Sequence, residues 1–380
     1  MSDYTVLVLN SGSSSIKYQL IQFPGENVVD KGQRDRVGIV GGHFANHSDA
    51  LADIFSALPS GVRVDAVGHR VVHGGERFRE PVVIDDEVLA EIRELSDLAP
   101  LHNPPNLEGI EAAREVMPSV PHVAVFDTAF FATLSPAAYR YAITRELEEE
   151  LGIRKYGFHG TSHQFVTQKL EQLAEPTNRP RRVVSFHLGN GSSVAAVKGG
   201  EAIDTSMGFT PLAGLVMGTR SGDIDPAVVT YLQRQKGWSA DEVDTYLNRH
   251  SGLEGLAGHS DMRDLVDSAH AGNAEAQEAI EVWAWRARHY LGAYLAQMGG
   301  LDAIIFTGGI GENQGELRAA ILRGCDDLGI VLDVERNVDA QREARRITSG
   351  QSPVDVWVIP TNEELHIAKL SLGAVQARTQ

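Results

Sequence analysis

The sequence predicts an α/β protein built as two similar halves, and three observations carry that prediction. At 380 residues the chain is longer than one hydrophobic core usually serves. Its apolar runs are short, β-branched and stopped by Gly/Ser turns, with helical stretches between them. A strand–turn–strand unit at residues 5–23 also has a counterpart at 183–198. Two copies of one unit far apart in a chain indicate a duplicated domain rather than a solenoid array.

In chain order, residues 5–9 read as a strand, 10–15 as a turn and 16–23 as a second strand. A further strand ends at His69-Arg70-Val71-Val72. Helices are expected over 87–98 and, after Pro104-Pro105, over 107–116. Residues 120–126 read as a buried strand that delivers Asp127 at its end. The domain boundary is placed near Glu148-Glu149-Glu150, giving domains of 1–148 and 149–365, and 174–180 is a surface loop. The second half repeats the unit as strands 183–188, 194–198 and 202–205. A long helix over 274–298 is apolar through Ile280, Trp283, Leu291 and Leu295. A strand at 302–306, a glycine turn, a helix through Leu322 and a strand at 354–359 follow. A closing helix is expected from about 362 to 377, and the C-terminal part, about 366–380, completes the first domain.

Composition narrows the function. Thirty-four basic against 51 acidic residues give a net charge of −17, which repels nucleic acid and anionic membranes. Any phosphate ligand must therefore be held by local cations, backbone amides or a divalent metal. Cys325 is the only cysteine, so no intrachain disulfide forms, and no apolar stretch approaches the ~20 residues of a membrane span. A cytoplasmic protein is expected.

The turns carry the chemistry. Asn10-Ser11-Gly12-Ser13-Ser14-Ser15-Ile16-Lys17 offers converging amides, hydroxyls at Ser13 and Ser15 and a cation at Lys17. Alone, it is equally a polar hairpin turn. His187-Leu188-Gly189-Asn190-Gly191-Ser192-Ser193 is a second turn of the kind, and 308–313 follows a strand and opens a helix. None is a Walker A loop. Phosphoryl transfer needs in-line positioning and neutralised oxygens, which arginines and a metal supply. Arg70 precedes Val-Val-His-Gly-Gly, and Arg220 sits in Met-Gly-Thr-Arg-Ser-Gly-Asp, where neighbours are too small to cover a guanidinium. His159 and His163 have the spacing of a helical zinc pair, but the Glu of H-E-x-x-H is missing, so zinc is discounted. His159 is equally a packed loop histidine or a hydrogen-bond donor to developing charge.

Together the segments Leu-Asn-Ser-Gly-Ser-Ser-Ser-x-Lys, Gly-His-Arg-Val-Val-His-Gly-Gly, Pro-Leu-His-Asn-Pro-Pro-Asn, Val-Phe-Asp-Thr-Ala-Phe, Gly-Phe-His-Gly-Thr-Ser-His, His-Leu-Gly-Asn-Gly-Ser-Ser, Gly-Gly-Ile-Gly-Glu-Asn and Pro-Thr-Asn-Glu-Glu resemble the acetate kinase family, in the family's order from Asn10 to Glu364. The resemblance implies the fold of the acetate and sugar kinase, chaperone ATPase and actin superfamily. That fold has two actin-like, ribonuclease H-like domains with mixed sheets flanked by helices, and nucleotide and substrate in the cleft between them. It also implies transfer of the γ-phosphoryl group of ATP to acetate, giving ADP and acetyl phosphate, in a homodimer.

Carried over by position, Asn10 and Glu363 place Mg²⁺, with Mn²⁺ as an alternative, and Lys17, with Ser13 and Ser15, approaches the phosphates. His187, Leu188, Gly189, Asn190, Gly191, Asp261, Met262, Arg263, Gly309, Ile310, Gly311, Glu312 and Asn313 line the nucleotide site. Arg70, Arg220 and His159 stabilise the transition state, with Asp127 the catalytic acid and His102 nearby. Val72, Leu101, Phe158 and Pro211 form a small acyl pocket. The stretch 258–263 is about a residue shorter than the family pattern. The rivals are a propionate kinase of the same family and a non-catalytic actin-like ATP-binding module. The module would lack the Arg70, Asp127, His159 and Arg220 set that is present in this chain.

Overall fold

A computed structural model describes residues 4–100 and 102–379. They form two units, one of Met1–Ala132, Gly160–Ser162 and Asn362–Gln380, the other of Thr133–His159 and His163–Thr361.

In the first unit the apolar run after Tyr4 is β1 (Tyr4–Ser11), paired antiparallel with β2 (Ser15–Phe23) so that Asn10 faces Lys17. β3 (Asn27–Asp35) was not foreseen, because it is a polar edge strand exposed along most of its length. Helix α1 (His47–Ala57), also unforeseen, is capped by Asn46. Then come β4 (Ala66–Val71), β5 (Val82–Val83), α2 (Asp86–Glu94), α3 (Asn103–Val116) and β6 (His122–Phe126). The sheet order is β3-β2-β1-β4-β6-β5, with β1, β4 and β6 parallel.

Each face of this sheet buries its own cluster. Leu7, Leu9, Ile16 and Leu20 pack with α1 and with Ala112 and Ala113 of α3, whereas Val6, Val8, Val123 and Val125 pack on Ile367 and Ala368 of the C-terminal helix Glu363–Thr379. Each fully buried Leu, Ile or Val side chain contributes about 1.5–3 kcal/mol.

Two helix boundaries differ from the sequence reading. The helix expected over 87–98 ends at Glu94 and continues only as a 3₁₀ turn, Leu95–Asp97. The helix expected from 107 starts at Asn103, because Pro104 and Pro105 occupy a first turn whose amides need no helical partner. The closing helix, expected from about 362, starts at Glu363.

The second unit begins at Thr133, not 149. The hydroxyl of Thr133 donates to Ala202 O (2.8 Å), the Tyr141 hydroxyl accepts from Phe209 N (2.9 Å), and Lys155 pairs with Asp204 (2.5 Å). Within it lie α4 (Pro136–Tyr139), α5 (Arg145–Leu151), α6 (Gly160–Leu173), β7 (Arg182–Leu188), β8 (Ser192–Lys198) and β9 (Glu201–Thr205), α6 contributing from His163 on. The acidic run 148–150, near which the boundary was placed, lies within α5. There follow α7 (Ala227–Lys236), α8 (Ala240–Arg249), α9 (Gly252–Ala257), α10 (Met262–His270), α11 (Ala274–Met298), β10 (Ala303–Thr307), α12 (Gly308–Asn313), α13 (Gly315–Leu322), α14 (Val334–Val338), β11 (Arg345–Arg346) and β12 (Asp355–Val358). The sheet order, β11-β12-β10-β7-β8-β9, repeats the first sheet strand for strand, with β7, β10 and β12 parallel. The C-terminal helix, Glu363–Thr379, is α15.

α11 spans the predicted residues, and Trp283 (1% exposed) and Leu291 lie in this unit's own core. Trp285, by contrast, is 71% exposed. Trp283 is therefore core and not available to a second chain.

Candidate active site

In open α/β sheets, ligands gather at the carboxyl ends of parallel strands, where loops diverge. In the first unit those ends deliver Asn10 from β1, Arg70 from β4 and Asp127 just after β6. Arg70 meets Asp127 in a two-point contact, Nε to Oδ1 at 3.1 Å and Nη2 to Oδ2 at 2.5 Å. Its Nε is also 3.9 Å from Glu363 Oε2, and its Nη1 is 3.5 Å from Asn10 Oδ1. The Thr161 hydroxyl lies 3.2 Å from Asp127 Oδ1 and 3.1 Å from Glu363 Oε2.

Burial opposes the charge on Arg70, but Asp127 and Glu363 outweigh it and raise its pKa. Burial, with Glu363 beside it, raises the pKa of the Asp127 carboxyl, and the Arg70 guanidinium offsets part of that rise. The two-point geometry with an always-charged guanidinium keeps Asp127 ionised at neutral pH.

Two carboxylates and one guanidinium leave this cluster with a net negative charge, and Asp127 is 1% exposed. The carboxamide of Asn10 and the carboxylate of Glu363 are hard oxygen donors of the kind that, with water and nucleotide phosphates, complete the shell of a small divalent cation. Among the described residues no group of three His, Cys, Asp or Glu side chains forms a self-sufficient metal site. The donor set fits a cation shared with a phosphate substrate.

The second unit holds a cavity of about 600 Å³, within the size range of small-molecule sites. Gly189, Asn190, Asp261, Met262, Arg263, Gly309, Ile310 and Asn313 border it, as do Met217, Gly218, Leu253, Ser260, Trp283 and Gln314, which the sequence reading had not picked out. Met217, Leu253 and Met262 are apolar residues scattered along the chain and brought together only by folding. Asp261 caps α10 and binds the Arg263 side chain (3.1 and 2.6 Å), contacts that hold its carboxyl at about 2. Leu188, Gly311 and Glu312 do not border the cavity. Leu188 and Gly311 are buried in the turn, and Glu312 Oε1 accepts from Thr307 Oγ1 (3.2 Å), Gly308 N (2.9 Å) and Thr361 N (3.1 Å). Glu312 holds the glycine turn from behind.

At the end of β7 a second cluster forms. His159 sits at φ 58°, a left-handed conformation uncommon outside glycine, at the start of α6. Its ring stacks on His187 at 4.4 Å, and its Nδ1 is 2.9 Å from Ser193 Oγ. His163, fully buried, places Nε2 2.8 Å from the same hydroxyl and Nδ1 2.9 Å from Ser185 Oγ. Burial, then His187, lowers the pKa of His163 well below the usual range. A Cβ on Gly191 would lie 2.8 Å from Arg220 Nη2 and 3.5 Å from His159 Nε2, so glycine leaves a gap between the guanidinium and the imidazole. The Arg220 guanidinium donates to Pro211 O at 2.7 Å, and among the described residues no carboxylate pairs with it. Burial lowers its pKa.

Of the remaining predicted residues, Lys17 and Ser13 are exposed and Ser15 half-buried around a turn closed by Gly12 N to Ser15 O at 2.7 Å. Val72 and His102 are half-buried in the first unit; Phe158 (buried) and Pro211 (half-buried) belong to the second. Leu101 lies outside the described residues. Thr161 and Ser193, missed from sequence, stand inside the Gly-Phe-His-Gly-Thr-Ser-His and His-Leu-Gly-Asn-Gly-Ser-Ser segments, where a hydroxyl within reach of a singled-out His or Asp was the available signal.

The pattern of the acetokinase family matches residues 5–369. An acetate kinase of Leifsonia xyli is 52% identical over 394 aligned positions, covering 98% of this chain and 99% of that protein. Among solved structures, the acetate kinase of Porphyromonas gingivalis is 40% identical with a TM-score of 0.91, covering 98% of this chain and all of that one. A propionate kinase from Francisella tularensis is 39% identical, also with a TM-score of 0.91, over 97% and 99% of the two chains. With its duplicated sheets and motifs throughout, the chain belongs to the acetokinase family.

Proposed function

We propose that the protein is an acetate kinase: it transfers the γ-phosphoryl group of ATP to acetate, reversibly, giving ADP and acetyl phosphate. The observation that carries this reading is Arg220, a half-buried guanidinium with no carboxylate partner among the described residues, set beside His159 across the open Gly191. Such a cation is receptive to an anion that arrives with the substrate.

The 600 Å³ cavity takes the nucleotide, its apolar side chains facing the base and its glycine turns admitting the phosphates. Val72 of the first unit and Phe158 and Pro211 of the second are apolar side chains suited to a methyl group. The acetate carboxylate is already ionised at neutral pH, so it needs no general base. One carboxylate oxygen attacks the γ-phosphorus as the bond to the bridging oxygen of ADP breaks, and Arg70, Arg220 and His159 Nε2 steady the charge on the equatorial oxygens. Asp127 serves by orienting Arg70 rather than by giving up a proton. Asn10 and Glu363 would hold Mg²⁺, or Mn²⁺ in its place, which would neutralise phosphate charge.

We place the enzyme in the cytoplasm as a homodimer, with Trp285 on the shared face and no nucleic-acid or membrane partner. Because a propionate kinase is similar over nearly the whole chain, the test includes both acids. Trapping of acyl phosphate as hydroxamate, with ATP and Mg²⁺, should give the highest kcat/KM with acetate. A preference for propionate would reassign the substrate, and no hydroxamate from any acid would leave only a nucleotide-binding module.

A further inference from the structure

The segment Asn103-Pro-Pro-Asn106 has no part in that reaction scheme, yet its two carboxamides are among the most buried polar groups of the first unit, at 0% and 4% exposed. The ladder between β1 and β4 ends at the pair Leu9 and His69, and the site residues lie just beyond that point. There α3 takes over. Val72 N donates to Asn106 Oδ1 at 3.0 Å, and Asn106 Nδ2 donates to Ser11 O at 2.6 Å. One side chain thus joins the end of β1 to the end of β4. His73 N donates to Asn103 Oδ1 (3.1 Å), and Asn103 Nδ2 donates to His73 O (3.0 Å), as a neighbouring strand would. Gly109 completes the stripe three residues on, since a Cβ there would lie 2.1 Å from Ser11 Oγ. Positions 103, 106 and 109 share one helical face.

We propose that Asn103 and Asn106 are positioning residues for the acceptor half of the reaction: their carboxamides replace the missing strand ladder and fix where Asn10, Arg70 and Val72 stand. This rests on the acetate kinase reading of the site. Ser11 directly follows Asn10, and Val72 is two residues after Arg70, so a slack bridge displaces the metal-side carboxamide, the guanidinium and the acyl pocket together. The nucleotide cavity, built entirely from the second unit, is untouched.

The test compares wild type with Asn106→Ala and the longer-armed Asn106→Gln, well below each variant's Tm. We expect acetate kcat/KM to fall about 10- to 100-fold, the cost of a displacement of about an ångström in a reacting group, with ADP affinity unchanged. Folded variants with wild-type acetate kinetics, or with ADP affinity reduced as far as kcat/KM, overturn the proposal, and Asn106→Gln decides alone where Asn106→Ala does not fold. Amide hydrogen exchange gives a readout independent of turnover. The Val72 and His73 amides should exchange slowly in wild type, and the Val72 amide faster in Asn106→Ala, where its acceptor is gone; fast exchange of both in wild type also overturns the proposal. A wild type that makes no acyl phosphate would sink the proposed function while the exchange measurement still judges the bridge.

Discussion

Replacing Arg220 with alanine should separate catalysis from stability. On the stability side, the variant loses one hydrogen bond, to Pro211 O at 2.7 Å, which contributes about 1 kcal/mol. It also removes a half-buried cation that has no carboxylate partner among the described residues, and that relief is of comparable size. The net change should stay within about 1 kcal/mol, a Tm shift of at most about 2–4 °C. On the catalytic side, an arginine that meets charge only as the phosphoryl group transfers accounts for about 10³–10⁵ in rate, roughly 4–7 kcal/mol of barrier. The assays are kcat for acetyl phosphate formation, calorimetric ADP affinity and thermal unfolding. A kcat within tenfold of wild type, or an ADP affinity that falls in step with kcat, would refute the reasoning and move Arg220 to a binding role.

Asp127→Asn should leave Arg70 with Glu363 at 3.9 Å as its nearest carboxylate and destabilise the protein by about 3 kcal/mol, read by urea unfolding; an unchanged midpoint would mean that the pair does not hold the strand ends. Gly191→Ala places a methyl group between Arg220 and His159 and should lower kcat with little change in ADP affinity, whereas wild-type turnover would show that nothing passes through that gap. Glu312→Ala strips three donors of their acceptor and should cost about 3 kcal/mol and raise the KM for ATP, checked by unfolding and initial rates. His73 and His366, both buried, have pKa values lowered to about 4. Their unfolded forms bind protons first, so each contributes stability that is present above pH ~6.5 and lost as pH falls towards 4, about 3 kcal/mol apiece. Urea midpoints across that range should drop on acidification, and less steeply in His366→Gln.

The elements legible in the sequence were those whose faces are uniform. β1, β6 and β10 are short, largely apolar runs between turn signals, and α11 is a long helix capped by Asn273 and ended by Gly299. β3 escaped because an edge strand facing solvent offers no buried apolar run. The prolines at 104 and 105 misled because proline ends a helix from within but suits its first turn.

In the site, the glycine turns and both arginines stood out because small neighbours around a charged residue are a local pattern. The apolar border of the nucleotide cavity, Met217, Leu253 and Trp283, was not legible, since it is assembled from three separate segments. Glu312 and Gly311 read as ligand contacts from their motif alone, and only the fold reveals that Glu312 bonds the backbone of its own turn and of Thr361.

The central claim is a single in-line displacement at phosphorus, with guanidinium groups rather than a covalent phosphoenzyme supporting the transfer. The direct measurement is the configuration of the phosphoryl group after transfer from ATP made chiral at the γ-phosphorus with oxygen isotopes. One displacement inverts that centre, and inversion is the predicted result. Retention would require two displacements through a phosphorylated side chain, and would contradict charge stabilisation by Arg70, His159 and Arg220 with Asp127 as the anchor of Arg70.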